Sequence, residues 1–182
     1  GLGMDMELID WLNAHAFPEE SKFTDLEYAK RAYSIFVNDL VKSTTTRACI
    51  FGTLHKEATL LLMELLEDTG MKAYVGKVNM DRNSPEILRE ESVEEASKIT
   101  EQWILEAERF ENVRQILTPR FIPSCSDELM REISRLQKKY ELPMQSHLSE
   151  NLGEIEWVKE LCPDSKFYGD ACNQFELFGG EC

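Results

Sequence analysis

Residues Leu117–Leu161, LTPRFIPSCSDELMREISRLQKKYELPMQSHLSENLGEIEWVKEL, carry two short apolar runs, each ending in polar side chains and each followed by a helical pattern. The first is Ile116-Leu117-Thr118-Pro119-Arg120-Phe121, and the second is Met144-Gln145-Ser146-His147-Leu148-Ser149-Glu150. Strand, polar tip and helix, then the same again, is how a βα repeat presents reactive side chains at the C-terminal ends of its strands. The helix after the first run, Asp127 to Tyr140, turns Met130, Ile133, Leu136 and Tyr140 inward. The helix after the second has its cap near Asn151, with Glu154 three residues on, and turns Ile155, Val158 and Leu161 inward.

The alternation extends upstream. Ala48–Leu54 is continuously apolar and of strand length, the pattern of a strand covered on both faces. A Leu-rich helix follows from His55 to Thr69, stopped by Gly70 in the C-cap position. Lys72–Met80 is the next buried strand, and at its tip Ser84 before Pro85 suits an N-cap and first helical position. Ser92-Val93-Glu94-Glu95 is a capping box opening a helix striped by Val93, Ala96, Thr100, Trp103, Ile104 and Ala107. Four strands strictly alternating with helices imply parallel pairing with right-handed crossovers. A doubly wound sheet would carry a Gly-rich phosphate turn after a strand, and none is present. The fold class expected is therefore α/β, with parallel (β/α) repeats amounting to about half of a TIM-type (β/α)8 barrel. Residues 1–182 form one partial catalytic domain in this reading.

Two helices precede the first strand. Met4, Leu8, Trp11 and Leu12 share one face of a short helix that Phe17-Pro18-Glu19-Glu20 ends, a lid or connector. Thr24-Asp25-Leu26-Glu27 reads as a capping box for a long amphipathic helix with Ala29, Ala32, Tyr33, Phe36, Val37, Leu40 and Val41 on its apolar stripe. The tail from Phe167 to Phe178 reads as one or two further helical turns, closed by Gly179-Gly180.

Lys and Arg number 20 against 34 Asp and Glu, a net charge of −14. That balance argues against a nucleic-acid polymer, whose phosphates need clustered cations. No apolar run approaches the roughly 20 residues of a membrane helix, so a soluble, non-membrane protein is expected. The cysteines, Cys49, Cys125, Cys162, Cys172 and Cys182, are odd in number with no C-x-x-C pair, which suits free thiols in a reducing cytoplasm. The missing initiating Met and the Gly-Gly-Glu-Cys end lead to the expectation that these residues are an excerpt of a longer chain.

Chemistry concentrates at the strand tips. His147 with Glu150 three residues on offers an imidazole for Zn²⁺ beside a carboxylate able to move protons to and from water, the minimum of a hydrolytic deaminase or metal hydrolase. The same spacing arises by chance, and Glu150 also suits a helix N-terminus by its charge. Arg120 presents a planar fork of donors matching a carbonyl and ring nitrogen of a flat heterocycle, or pairs with one of the many acids. Phe121 is an aromatic wall beside it or a core residue. His55 is a further, weaker residue of the same mouth, whereas His15 reads as surface or lid. Asp81 and Asn83 read as loop braces, and Cys125 as a packing residue.

Three motifs in order carry a resemblance: Val75-Gly76-Lys77-Val78-Asn79-Met80-Asp81-Arg82-Asn83-Ser84-Pro85, Thr118-Pro119-Arg120-Phe121-Ile122-Pro123-Ser124-Cys125-Ser126, and Gln145-Ser146-His147-Leu148-Ser149-Glu150-Asn151. With Trp11-Leu12-Asn13, Phe17-Pro18-Glu19-Glu20 and Thr44-Thr45-Thr46, they resemble the guanine deaminases of the amidohydrolase superfamily nearly end to end. The resemblance implies a zinc-containing (β/α)8 barrel that converts guanine to xanthine and ammonia. It implies that His147 is a zinc ligand, that Glu150 shuttles protons between water and the purine, and that Arg120 holds guanine with Phe121 close by. It also implies a homodimer. The family's first-strand His-x-His pair with its nearby Gln, its sixth-strand His and its eighth-strand Asp have no counterparts in these residues, so the isolated 182-residue piece is expected to be inactive. Two other readings stand beside this one: another amidohydrolase-type deaminase or hydrolase of a purine, pterin or triazine-like ring, and an inert barrel fragment acting as a scaffold.

Overall fold

The computed structural model describes residues 6–177. Helices and strands alternate along the chain: α1 (Leu8–Trp11), α2 (Phe17–Glu20), α3 (Leu26–Lys42), β1 (Arg47–Phe51), α4 (Lys56–Glu67), β2 (Lys72–Gly76), β3 (Val78–Asn79), α5 (Val93–Ala107), β4 (Val113–Gln115), β5 (Thr118–Pro119), α6 (Asp127–Tyr140), α7 (Leu152–Leu161) and α8 (Tyr168–Asn173). Strands β1, β2 and β4 pair in parallel in that order, and β3 pairs in parallel with β5.

Four strand lines lie side by side. The second is β2 and β3 interrupted at Lys77, the third is β4 and β5 interrupted at Ile116 and Leu117, and the fourth joins through a parallel bridge from Leu117 to Met144. The Leu117 amide donates to the Pro143 carbonyl at 2.9 Å, and the Gln145 amide donates to the Leu117 carbonyl at 2.9 Å. The architecture is α/β with parallel strands and helical crossovers, as the alternation implies. Crossover helices pack their apolar faces onto the sheet: Leu62, Met63 and Leu66 of α4, Trp103 and Ile104 of α5, and Leu129 and Ile133 of α6 are all buried in one cluster.

Gly76 marks the closest approach between strands. A Cβ there would lie 1.7 Å from Thr118 Oγ1 and 2.6 Å from the Ile116 carbonyl, so only a residue without a side chain fits. Thr118 Oγ1 in turn accepts from Gln145 Nε2 at 3.0 Å, and the same Nε2 donates to the Ile50 carbonyl at 3.1 Å. One amide thus ties three strand lines together from within.

Several local expectations need correction. The Phe17-Pro18-Glu19-Glu20 run does not end the helical segment. A π turn over Leu12–Ala16 shifts the register, Pro18 occupies the first turn of α2 where no intrahelical donor is required, and a 3₁₀ turn, Ser21–Thr24, follows. The cap of α3 is Asp25, whose Oδ1 accepts from the Glu27 amide at 2.9 Å, while Thr24 Oγ1 donates to the Ser21 carbonyl. Ser84 does not cap a helix; its hydroxyl donates to the Leu88 carbonyl at 3.2 Å. Strand β1 is not covered on both faces, since Arg47 and Cys49 are exposed and its pairing among the described residues is to β2 alone. Phe36 and Val41, on the expected stripe of α3, are exposed.

Other local readings agree with the structure. Gly70 takes φ +71° where the chain leaves α4, although the C-cap itself is Asp68, and Ser92 accepts from the Glu95 amide at 3.1 Å at the start of α5. Asn151 Oδ1 accepts from the Glu154 amide at 2.8 Å at the start of α7. The expected turn at the C-terminal end is α8, whereas Met4, Phe178 and Cys182 lie outside the described residues.

Candidate functional site

At the C-terminal ends of the strand lines, Arg120, Phe121, His147 and Glu150 line one cavity of 310 Å³. Phe51, Gly52 and Val78 contribute from the neighbouring strands, and Leu8, Trp11, Leu12, Ala16 and Glu20 close it from the N-terminal helical run. A second cavity, of 360 Å³, shares Leu8 and Phe121 with the first and extends to Trp157 of α7. Buried Phe121 therefore stands as the wall between the two.

His147 is fixed by two constraints. Its amide and its Nδ1 both meet the Arg120 carbonyl, at 2.9 and 3.0 Å, and its ring packs against Phe51 with centroids 4.2 Å apart. A carbonyl can only accept, so Nδ1 carries a proton, and in the neutral ring Nε2 is the nitrogen with the lone pair. That is the tautomer of a metal-ligating imidazole whose orientation is set from behind by a backbone acceptor.

Glu150 is exposed at the rim. Ser149 takes φ +58°, a left-handed turn between the fourth strand line and α7. The Glu150 amide donates to Glu154 Oε2 at 2.6 Å, and Glu154 is itself buried, accepting from the Tyr168 hydroxyl through Oε1. Backbone position is thus braced through the amide, and the Glu150 side chain is exposed, with no hydrogen-bond donor to its carboxylate among the described residues.

Arg120 is anchored on three sides. Its amide donates to the Asn79 carbonyl at 3.1 Å, its Nη1 pairs with Glu20 Oε2 at 2.6 Å, and its guanidinium lies 5.1 Å from the Phe17 ring centre. The acid that pairs with it is thus Glu20, 100 residues away in sequence. Glu20, Phe17 and Phe51 are the site residues that sequence reading passes over. The two aromatics carry no chemistry of their own, and Glu20 sat in a run read as a helix stop.

His55 is not part of this cavity's lining. It stands before α4 with Nε2 3.1 Å from Thr24 Oγ1, and burial holds its pKa below the usual range, partly offset by the charge of Glu20. Asp81 and Asn83 brace a loop, but across the fold: Asp81 accepts from the Ser126 amide at 2.6 Å and Asn83 Nδ2 donates to the Pro123 carbonyl at 2.6 Å. Burial pushes the Cys125 thiol up to about 12, so it stays protonated and is no nucleophile. His15 is exposed.

The arrangement offers an imidazole held at Nδ1, an exposed carboxylate and a clamped guanidinium around a cavity the size of a small planar molecule. Among the described residues no group of three or more His, Cys, Asp or Glu side chains is placed to hold a metal ion, and no helix is long and apolar enough to cross a membrane.

Comparison with known proteins gives the following. A model described as the amidohydrolase family matches residues 2–180. Guanine deaminase of Rattus norvegicus is 40% identical over 179 residues, which are 97% of this chain and 39% of the rat protein. A crystal structure of guanine deaminase from C. acetobutylicum, with guanine bound in its active site, superposes with a TM-score of 0.94 at 50% identity, covering 99% of this chain and 43% of that one. An adenosine deaminase from Xanthomonas campestris with bound zinc superposes with a TM-score of 0.77 at 15% identity, a likeness of fold alone. The chain thus spans well under half the length of the relatives it matches.

Proposed function

The chain belongs to the amidohydrolase family, and from that premise we propose that it is part of a zinc-dependent guanine deaminase, which hydrolyses guanine to xanthine and ammonia. One observation carries this reading: Arg120, Phe121, His147 and Glu150 line a single cavity at the C-terminal ends of parallel strands. In this reading the four strand lines are about half of a (β/α)8 barrel, and residues 1–182 are one partial catalytic domain. The likeness to guanine deaminases over 97% of the chain supports guanine over other flat rings.

His147 fits zinc, because its Nδ1 is held by a carbonyl and its Nε2 lone pair is left for a metal. A catalytic zinc takes about three protein ligands. His147 would be one, the others coming from barrel strands outside these 182 residues, and the isolated piece would be inactive. Bound there, zinc would supply Lewis-acid activation of water.

The remaining steps belong to this chain's own residues. Arg120 would hold the ring through its carbonyl, with Phe121 as an aromatic wall. Glu150 would take one proton as water adds to the ring carbon bearing the amino group and pass it to the ring nitrogen, then take the proton of the added hydroxyl as the new carbonyl forms and pass it to the amino group, which leaves as ammonia. The Leu8–Glu20 wall would limit bulk water at the reacting carbon. Assembly as a homodimer and a cytoplasmic location, in keeping with free thiols at Cys49, Cys125, Cys162 and Cys172, complete the proposal.

A substrate panel tests it. Full-length protein supplied with zinc is expected to release ammonia from guanine and not from adenine or an amino-substituted triazine. Release from the triazine with guanine untouched would establish the other amidohydrolase reading, and release from none would leave the scaffold reading.

A further inference from the structure

We infer that Glu20 is a positioning residue for substrate recognition: it fixes the Arg120 guanidinium so that the edge left over reads a ring carbonyl. The inference rests on the reading of the cavity as a purine site. Glu20 and Arg120 both line that cavity, and their side chains are only 15% and 12% exposed. The pair uses Nη1 of the arginine and Oε2 of the glutamate, 2.6 Å apart. Phe17, on the same helical run as Glu20, lies under the guanidinium plane at 5.1 Å. A planar fork held at one nitrogen and across one face has a defined orientation, and among the described residues Nη2 and Nε have no other side-chain partner.

The pair is a poor device for stability. Oε1 of Glu20 is buried with no hydrogen-bond partner among the described residues, so a half-satisfied carboxylate is kept out of water. A carboxylate retained at such a cost, on a segment whose other members wall the cavity, is explained by what it does to Arg120. An arginine freed from Glu20 would sample other rotamers and lose its aim at the cavity. The ligand feature read by the aimed edge is a carbonyl, which accepts two parallel N–H groups. A ring carrying hydrogen or a donor at that position leaves the fork unsatisfied.

The test uses the full-length, zinc-loaded protein and two probes: hypoxanthine, which carries the six-position carbonyl, and unsubstituted purine, which lacks it. Calorimetric titration of Glu20→Ala is expected to weaken hypoxanthine by about 30-fold, the size of one charge-assisted hydrogen bond, and purine by less than about threefold. Glu20→Gln, which retains an acceptor for Nη1, is expected to recover most of the hypoxanthine affinity. In guanine kinetics the alanine variant raises KM with little change in kcat. Equal weakening of both probes, or a variant that binds hypoxanthine like the wild type, would overturn the inference. Wild-type protein that turns over no guanine would remove the deaminase reading and leave the titrations to judge Glu20 by themselves.

Discussion

Glu150→Gln in the full-length protein is expected to lower kcat for guanine by about 10³-fold, with KM little changed. The substitution keeps the shape of the side chain and removes its capacity to take a proton, and positioned proton transfer contributes roughly 10²- to 10⁴-fold. The local structure does not depend on the carboxylate. The left-handed Ser149, the Asn151 cap and the bond from the Glu150 amide to Glu154 all involve other groups, and they place residue 150 at the rim whatever its side chain. An unchanged melting temperature beside the lost turnover would separate chemistry from folding. A variant with full turnover would end the proton-shuttle role.

Lys77→Met is expected to lower the unfolding free energy by about 4 kcal/mol, the cost of breaking a buried ion pair from one side. Lys77 and Glu90 lie inside the fold at 1% and 4% side-chain exposure, 2.8 Å apart. Glu90 would keep the Asn79 Nδ2 and Met80 amide donors, at 2.8 and 3.1 Å, but would lose its cation in a place water does not reach. Lys77 also falls between β2 and β3 in the second strand line, and its ammonium donates to the Val78 carbonyl at 3.1 Å. For a domain of this size the loss corresponds to a fall of about 10 °C in melting temperature, read by thermal denaturation. Lys22, exposed beside exposed Glu19, is the control, because a solvated pair contributes about 0 to 1 kcal/mol. Equal effects at the two lysines would contradict the account of the buried pair.

Periodicity was enough to read the alternation of strands and helices. Helix α6 carries Met130, Ile133 and Leu136 at helical spacing and buries all three, and β2 alternates with helices that need both faces of a parallel sheet. Where periodicity is weak, the reading slipped. The N-terminal run changes register through a π turn, which no spacing of apolar residues announces, and Pro18 looks identical whether it ends a helix or starts one. Strand β1 is apolar enough for the interior, yet its exposure is set by which strands stand beside it, a property of the fold and not of the segment.

The site divides in the same way. Arg120, His147 and Glu150 were visible because strand tips are where a βα fold displays polar residues, and the structure brings them with Phe121 to one cavity. His55 occupies a strand tip as well, but its ring turns to Thr24, and tip position alone does not say which way a side chain faces. Glu20 was invisible for a different reason. Its role comes from a contact 100 residues away, and an acidic residue after a proline carries no local mark of a long-range partner.

The arrangement of ligand and metal around these residues is tested most directly by a crystal structure of the full-length protein with zinc and guanine. The account predicts zinc on His147 Nε2 at about 2.0 to 2.1 Å, and guanine in the cavity with its carbonyl on the Arg120 guanidinium and the Glu150 carboxylate beside the amino-bearing carbon. Guanine bound elsewhere, or a metal held without His147, would contradict it.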